Sequence, residues 1–163
     1  MNRLFLMTLA LTVSACSPAL DWREVRPAGA GVVVMFPCKP EFQSRPEAHM
    51  GLARCEAAGL EFSLSWAELP DPTLASAALK QMRVALAGKL GGAAETPQPF
   101  NLAGMTPNDE ALSQRLSGQH PAHLAVFSKG ATVYQAVMSG AKANDTAWEG
   151  FAGSVRWTDA AQR

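Results

Sequence analysis

Residues Leu60 to Ala67 alternate without a break. Leu60, Phe62, Leu64 and Trp66 fall on one side, and Glu61, Ser63 and Ser65 on the other. A period of two is the signature of a strand with one face buried and one face in a polar setting. Such a strand belongs to an antiparallel sheet, and its apolar face must be covered by another layer. A fold made only of helices is therefore excluded.

The residues around this strand supply the rest of the sheet. Trp22 to Arg26 reads as a first extended segment, and Pro27-Ala28-Gly29-Ala30-Gly31 as a turn. Val32 to Phe36 is a dense β-forming run closed by Pro37. Lys39 to Pro46 reads as a loop, because it is polar and carries two prolines. Met50 to Ala57 is a weaker strand, joined to the alternating one by the turn signal Ala58-Gly59.

A helix follows. Asp71 is a suitable N-cap, and Pro72 fits the first helical position. Leu74, Ala78, Met82, Leu86 and Leu90 recur every four residues, widened by Ala75, Leu79 and Ala85, and Gly91-Gly92 stops the run. The stripe is expected to pack on the sheet. Ala93 to Pro99 reads as a linker, Thr106 to Asp109 as a turn and Glu110 to Ser117 as a strand. Ala122–Ser128 and Thr132–Met138 flank Lys129-Gly130, which predicts a hairpin. Asn144 or Asp145 caps a short helix holding Trp148 and Phe151, and Ser154 to Trp157 is a last strand. The expected fold is α/β in the α+β sense, an antiparallel sheet flanked by helices.

The N-terminus carries Arg3, then an apolar run opening at Leu4–Leu11, then Val13-Ser14-Ala15-Cys16. The run is too short to span a hydrocarbon core about 30 Å thick. The stretch resembles a bacterial lipobox. That resemblance implies cleavage before Cys16, a diacylglycerol on its thiol and an acylated new amino terminus. Several acyl chains hold a protein stably where one does not. By resemblance to the sorting rule of enteric-type bacteria, Ser17 after Cys16 favours the outer membrane, with the domain facing the periplasm. The expected organisation is a signal peptide at 1–15, a tether at 16–20, one globular domain at 21–157 and a frayed tail at 158–163.

With Cys16 lipidated, Cys38 and Cys55 remain as a pair in an oxidising compartment. A structural disulfide between them is expected, with a hairpin bringing them together. The alternative, a redox-active or metal-binding thiol pair, would be supported by a Cys-x-x-Cys spacing, which these residues lack.

Several short motifs resemble bacterial PsbP-like domains. Val32 to Pro37 is similar to their V-x-F-P opening. Phe62 to Trp66 followed by Leu69-Pro70 is similar to their next strand and approach to a helix. Val126 to Val137, with Gly130 and Tyr134, resembles their hairpin, and Phe151 to Arg156 their closing F-x-x-S-x-R step. The resemblance spans most of residues 30 to 157. It implies an α/β/α sandwich, a plan that DcrB-type periplasmic lipoproteins share. Gly104 to Asp109 departs from the Pro-Gly or Gly-Gly turn common in the family. The resemblance implies a scaffold and carries no reaction with it.

Composition narrows the function classes. The chain has 14 Lys+Arg against 14 Asp+Glu, and only Arg3 falls in the signal, leaving 13 against 14. No basic stripe argues for nucleic acid. His120-Pro121-Ala122-His123 has a metal-like spacing, but Pro121 at a loop-to-strand boundary spoils a helical arrangement. A zinc site would need His49 alongside. No Gly-x-Ser-x-Gly elbow or phosphate loop is present, and the paired carboxylates read as caps and turns. Neither catalytic residues nor a cofactor are expected. Trp22 and Trp148 lie near element ends, where an exposed indole would serve as a binding anchor. The expected role is a membrane-anchored, non-catalytic binding or accessory module for an unidentified envelope protein. Two alternatives remain. One is a small-ligand carrier or sensor with a pocket between the helix and the sheet. The other is a small hydrolase or metal protein using His120 and His123.

Overall fold

Leu60, Phe62, Leu64 and Trp66 are all buried in the computed structural model, which describes residues 19–141 and 143–158. In chain order the elements are β1 (Arg23–Val25), β2 (Val32–Phe36), β3 (Glu41–Arg45), β4 (Met50–Ala57), β5 (Leu60–Glu68), α1 (Ala75–Leu90), β6 (Ala93–Ala94) and β7 (Gln98–Pro99). They continue with β8 (Leu112–Ser117), β9 (Ala122–Lys129), β10 (Thr132–Ser139), α2 (Asp145–Phe151) and β11 (Arg156–Trp157).

Among the described residues two antiparallel sheets form. The larger has eight strands in the order β3-β4-β5-β10-β9-β8-β6, with β7 also paired to β8. The smaller holds β1, β2 and β11, with β2 in the middle. Between the sheets lies the main core, where Val32, Val34 and Phe36 meet Phe62, Leu64, Phe127 and Tyr134. α2 closes this layer through Trp148 and Phe151, and Phe151 packs edge-on against both Phe36 and Phe62. α1 covers part of the opposite face, lying on β9 and β10 through Ala75, Leu79, Val126 and Val133. The chain is therefore α+β, an antiparallel sheet with helical cover on both sides.

Local chemistry explains the boundaries. The Asp71 carboxylate accepts from the Thr73 N–H at 2.8 Å, capping the 3-10 turn Pro72–Leu74 that leads into α1, and this holds that carboxyl below its usual range. Gly91 takes the left-handed conformation that ends α1. Ala57 pairs with Leu60, so Ala58 and Gly59, both at positive φ, form the two-residue turn that a twisted hairpin prefers. Gly51 is required by packing, because a Cβ there would lie 2.3 Å from the Trp66 ring. The Tyr134 hydroxyl donates to the Ala30 carbonyl at 2.7 Å, and burial pushes its phenol up to about 12. That bond ties the large sheet to the turn before β2.

Three readings of the sequence need correction. The predicted loop at 39–46 contains a strand, β3, because five residues between Pro40 and Pro46 suffice to pair with β4. The predicted linker at 93–99 contributes two short pairings to β8. The buried face of α1 is centred on Ala75 and Leu79, while Leu74 and Ala85 are exposed. Leu74 falls in the 3-10 turn Pro72–Leu74 ahead of α1, whereas Leu86 and Leu90 of the same row stay packed beside Leu116 and Leu124.

Thr158 is held by a hydrogen bond from its N–H to the Gly31 carbonyl, and the remainder of the predicted tail lies outside the described residues. So do Cys16 and the predicted signal peptide. Among the described residues no helix is long and apolar enough to cross a membrane.

Candidate functional site

α1 covers only part of its face of the large sheet. Toward β3, β4 and β5 that face stays open and forms a groove of about 740 Å³. Met50 and Leu52 of β4 and Ser65 and Ala67 of β5 line it, with Met82 of α1 on the helix side. The strand registers explain the grouping. Leu52 lies opposite Ser65 and Met50 opposite Ala67, so these four share one face. Ser65 and Ala67 are small and leave depth there. Gln43 and Arg45 of β3 form the outer rim, since they lie opposite Leu52 and Met50. Met50 is 41% exposed, unusual for a thioether side chain in a sheet. The helix side is held firmly, because Gln135 Nε2 donates to the Met82 carbonyl at 3.1 Å. Arg83 and Glu110 pair at 3.4 Å with both side chains largely buried, fixing α1 to the loop before β8.

Cys38 and Cys55 are joined by a disulfide with a Cα–Cα distance of 6.0 Å. Its setting differs from the expected hairpin. Cys38 follows β2 of the small sheet, whereas Cys55 sits in β4 of the large one, with β3 between them in sequence. The bridge staples the two sheets together, close to the groove strands.

Of the two predicted surface anchors, Trp148 is placed otherwise. Trp148 is 4% exposed and belongs to the core, where it packs against His123 and Phe151. Trp22 is half-buried, packing edge-on against Phe62 at 6.2 Å. It borders a shallow hollow with Leu20, Met35 and Gly150.

The histidines do not converge. His120 lies exposed beside Gln119 and Ser139, while His123 is buried against Trp148 at 4.8 Å. His120 lies in the bend ahead of β9 and His123 within that strand, and they line different cavities. His49 faces Glu68 at 3.4 Å, elsewhere on the sheet. Among the described residues no three His, Cys, Asp or Glu side chains are grouped to hold a metal.

Burial, then the nearby Arg115 guanidinium, lowers the His123 pKa below its ordinary 6.5. The unfolded chain then binds more protons than the fold below pH 6.5, so this contribution to stability is complete above that pH and declines as pH falls through it. The wild-type urea midpoint is expected to drop between pH 7.5 and pH 5.5. His123→Phe, which keeps a ring against Trp148, is expected to flatten that slope; an unchanged slope would show that His123 is not the group responsible.

The groove residues were hard to see in the sequence. Phe42, Gln43 and Arg45 sit in a segment flanked by prolines, and Met50 and Leu52 are interrupted by Gly51. The available signal was the alternation of Phe42 and Ser44 against Glu41, Gln43 and Arg45.

No family model matches the chain, and no curated protein matches it. Among solved structures it is similar to the solution structure of cyanobacterial PsbP (CyanoP) from Synechocystis sp. PCC 6803. The identity is 14% and the TM-score 0.48, covering 90% of this chain and 98% of that one. It is also similar to a crystal structure from Bacteroides thetaiotaomicron VPI-5482, at 12% identity and a TM-score of 0.42, covering 84% of this chain and 48% of that one. Likenesses of this size bear on neither activity nor partners.

Proposed function

We propose that the chain is a lipoprotein of the cell envelope, held to the outer membrane by acylated Cys16 and facing the periplasm. In this reading its PsbP-like, DcrB-type domain is a non-catalytic binding module that acts on an envelope protein. The observation that carries the reading is the open groove of about 740 Å³ beside α1, with Met50, Leu52 and Met82 presented to solvent on a well-packed frame. An apolar, pre-formed concavity with a polar rim is what a recognition surface needs. The lipid would confine the domain near its partner and raise the effective concentration there.

The test is photo-crosslinking in intact cells from a reactive residue placed at Met50, with Lys89 on the exposed side of α1 as the comparison site. One specific envelope protein captured from Met50 and not from Lys89 is the expected result. Capture is also expected to be lost in Leu52→Glu, and in Cys16→Ser exported behind an ordinary secretory signal. Identical capture from both positions would overturn the assignment of the groove.

A second reading has one observation in its favour. The groove volume lies in the range of small-molecule sites, roughly 300–1,000 Å³. A carrier or sensor would retain an apolar ligand through purification, which native mass spectrometry would read as a mass lost on groove mutation.

A further inference from the structure

β3 is the longest open sheet edge among the described residues. It pairs with β4 on one side only, and all five of its residues are exposed. The other edges are shorter: β6, β7 and β11 have two residues each and β1 has three. Short edge strands are a usual protection against pairing with another chain, and β3 lacks it.

The order of residues in β3 is Glu41-Phe42-Gln43-Ser44-Arg45. Placed antiparallel to a copy of itself about a two-fold axis at Gln43, the strand is self-complementary. Glu41 then lies opposite Arg45 of the copy, and Arg45 opposite Glu41. Gln43 meets Gln43, and Phe42 lies opposite Ser44. The two Phe42 rings become diagonal neighbours on the same face, a spacing that aromatic side chains bridge. Phe42 is 55% exposed in the single chain, so this contact would cover the most open aromatic ring among the described residues. Arg45 has no ion pair among the described residues, while Glu41 reaches only Arg54, at 3.7 Å on the surface. Both charges are thus available to a partner strand.

We propose that β3 is a homodimerisation edge, and that two copies of this chain join through it into one continuous antiparallel sheet. The occupant is a second copy because the charge order matches itself in the antiparallel sense and places each acid against a base. An isologous contact of this kind closes on itself and does not propagate into a fibre. Gln43 and Arg45 also line the rim of the groove, so the contact would set the two grooves side by side. The proposal does not depend on the function assigned to the groove.

The experiment uses the full chain in bacterial cells. Gln43→Cys places two thiols on the two-fold axis, whereas Ser44→Cys places each thiol opposite Phe42 of the copy. Mild oxidation is expected to give a species of twice the monomer mass from Gln43→Cys and little from Ser44→Cys. Sedimentation of the detergent-solubilised chain, without added cysteine, reads the association itself. Glu41→Arg and Arg45→Glu are each expected to weaken it at least tenfold, since two attractive pairs become repulsive. The double swap Glu41→Arg/Arg45→Glu is expected to restore it, which also shows that the doubly substituted chain folds. Equal crosslinking at 43 and 44, a crosslinked species of another mass, no association at all, or failure of the double swap would overturn the proposal.

Discussion

Phe62→Ala is expected to cost about 3–5 kcal/mol of unfolding free energy, the range for a buried aromatic cut back to a methyl group. Phe62 has no exposed surface and stands between the sheets. Its ring meets Phe151 edge-on at 5.4 Å and Trp22 at 6.2 Å, so one truncation loosens β5, α2 and the segment before β1 together. Rigid strands on both sides leave little room for collapse, and the cavity term is retained. Urea unfolding with a two-state fit measures the loss. Val84→Ala, at a position 56% exposed on α1, is the matched comparison and is expected to stay within about 0.5 kcal/mol of wild type. Equal effects at the two sites would refute the central place of Phe62.

Removing the bridge is the second large effect. The double variant Cys38→Ala/Cys55→Ala is expected to lose about 3 kcal/mol, from the entropy regained by an unfolded chain no longer closed across a separation of 17 residues. Alanine is the right replacement because Cys55 is buried, where a hydroxyl would need a partner. The slope of unfolding free energy against urea is expected to rise, since the open chain exposes more surface. Reductant should reproduce both changes in wild type and neither in the double variant. Full retention of stability under reduction would show that the contacts between the sheets already suffice without the bridge.

Both effects concern the join between two sheets, and that join was not legible in the sequence. β2 is read directly from Val32 to Phe36, and β5 from its alternation. Nothing local states that β2 leaves the sheet of β5 to pair with β1 and β11. Pairing partners are chosen by long-range packing, here by the fit of Val34 and Phe36 against Phe62 and Phe151. The disulfide shows the same division. The pairing of Cys38 with Cys55 followed from the residues left over, but its placement across two sheets depended on β3, a strand hidden between two prolines.

The candidate site divides in the same way. The stripe on α1 leaves a pocket between helix and sheet only as one alternative, and in the structure that interface is packed while the groove lies beside it. The groove's position over β3, β4 and β5 was not legible, because it arises from where the helix stops covering the sheet. Trp148 illustrates the reverse error. Its place near an element end suggests exposure, yet its ring packs into the core against His123 and Phe151.

By itself the sequence determined what depends on neighbours within one turn or one pleat. These are the alternation that makes β5 a one-faced strand, the cap at Asp71, the stop at Gly91 and the hairpin turn at Gly130. The tertiary structure decided what depends on which surfaces meet: two sheets where one was expected, a core position for Trp148, separate cavities for His120 and His123, and a groove at the margin of α1. The physical reason is range. Backbone sterics, capping and periodicity act over a few residues and are written in order along the chain. Burial and cavity formation are set by residues far apart in sequence, and their outcome exists only once the layers are packed.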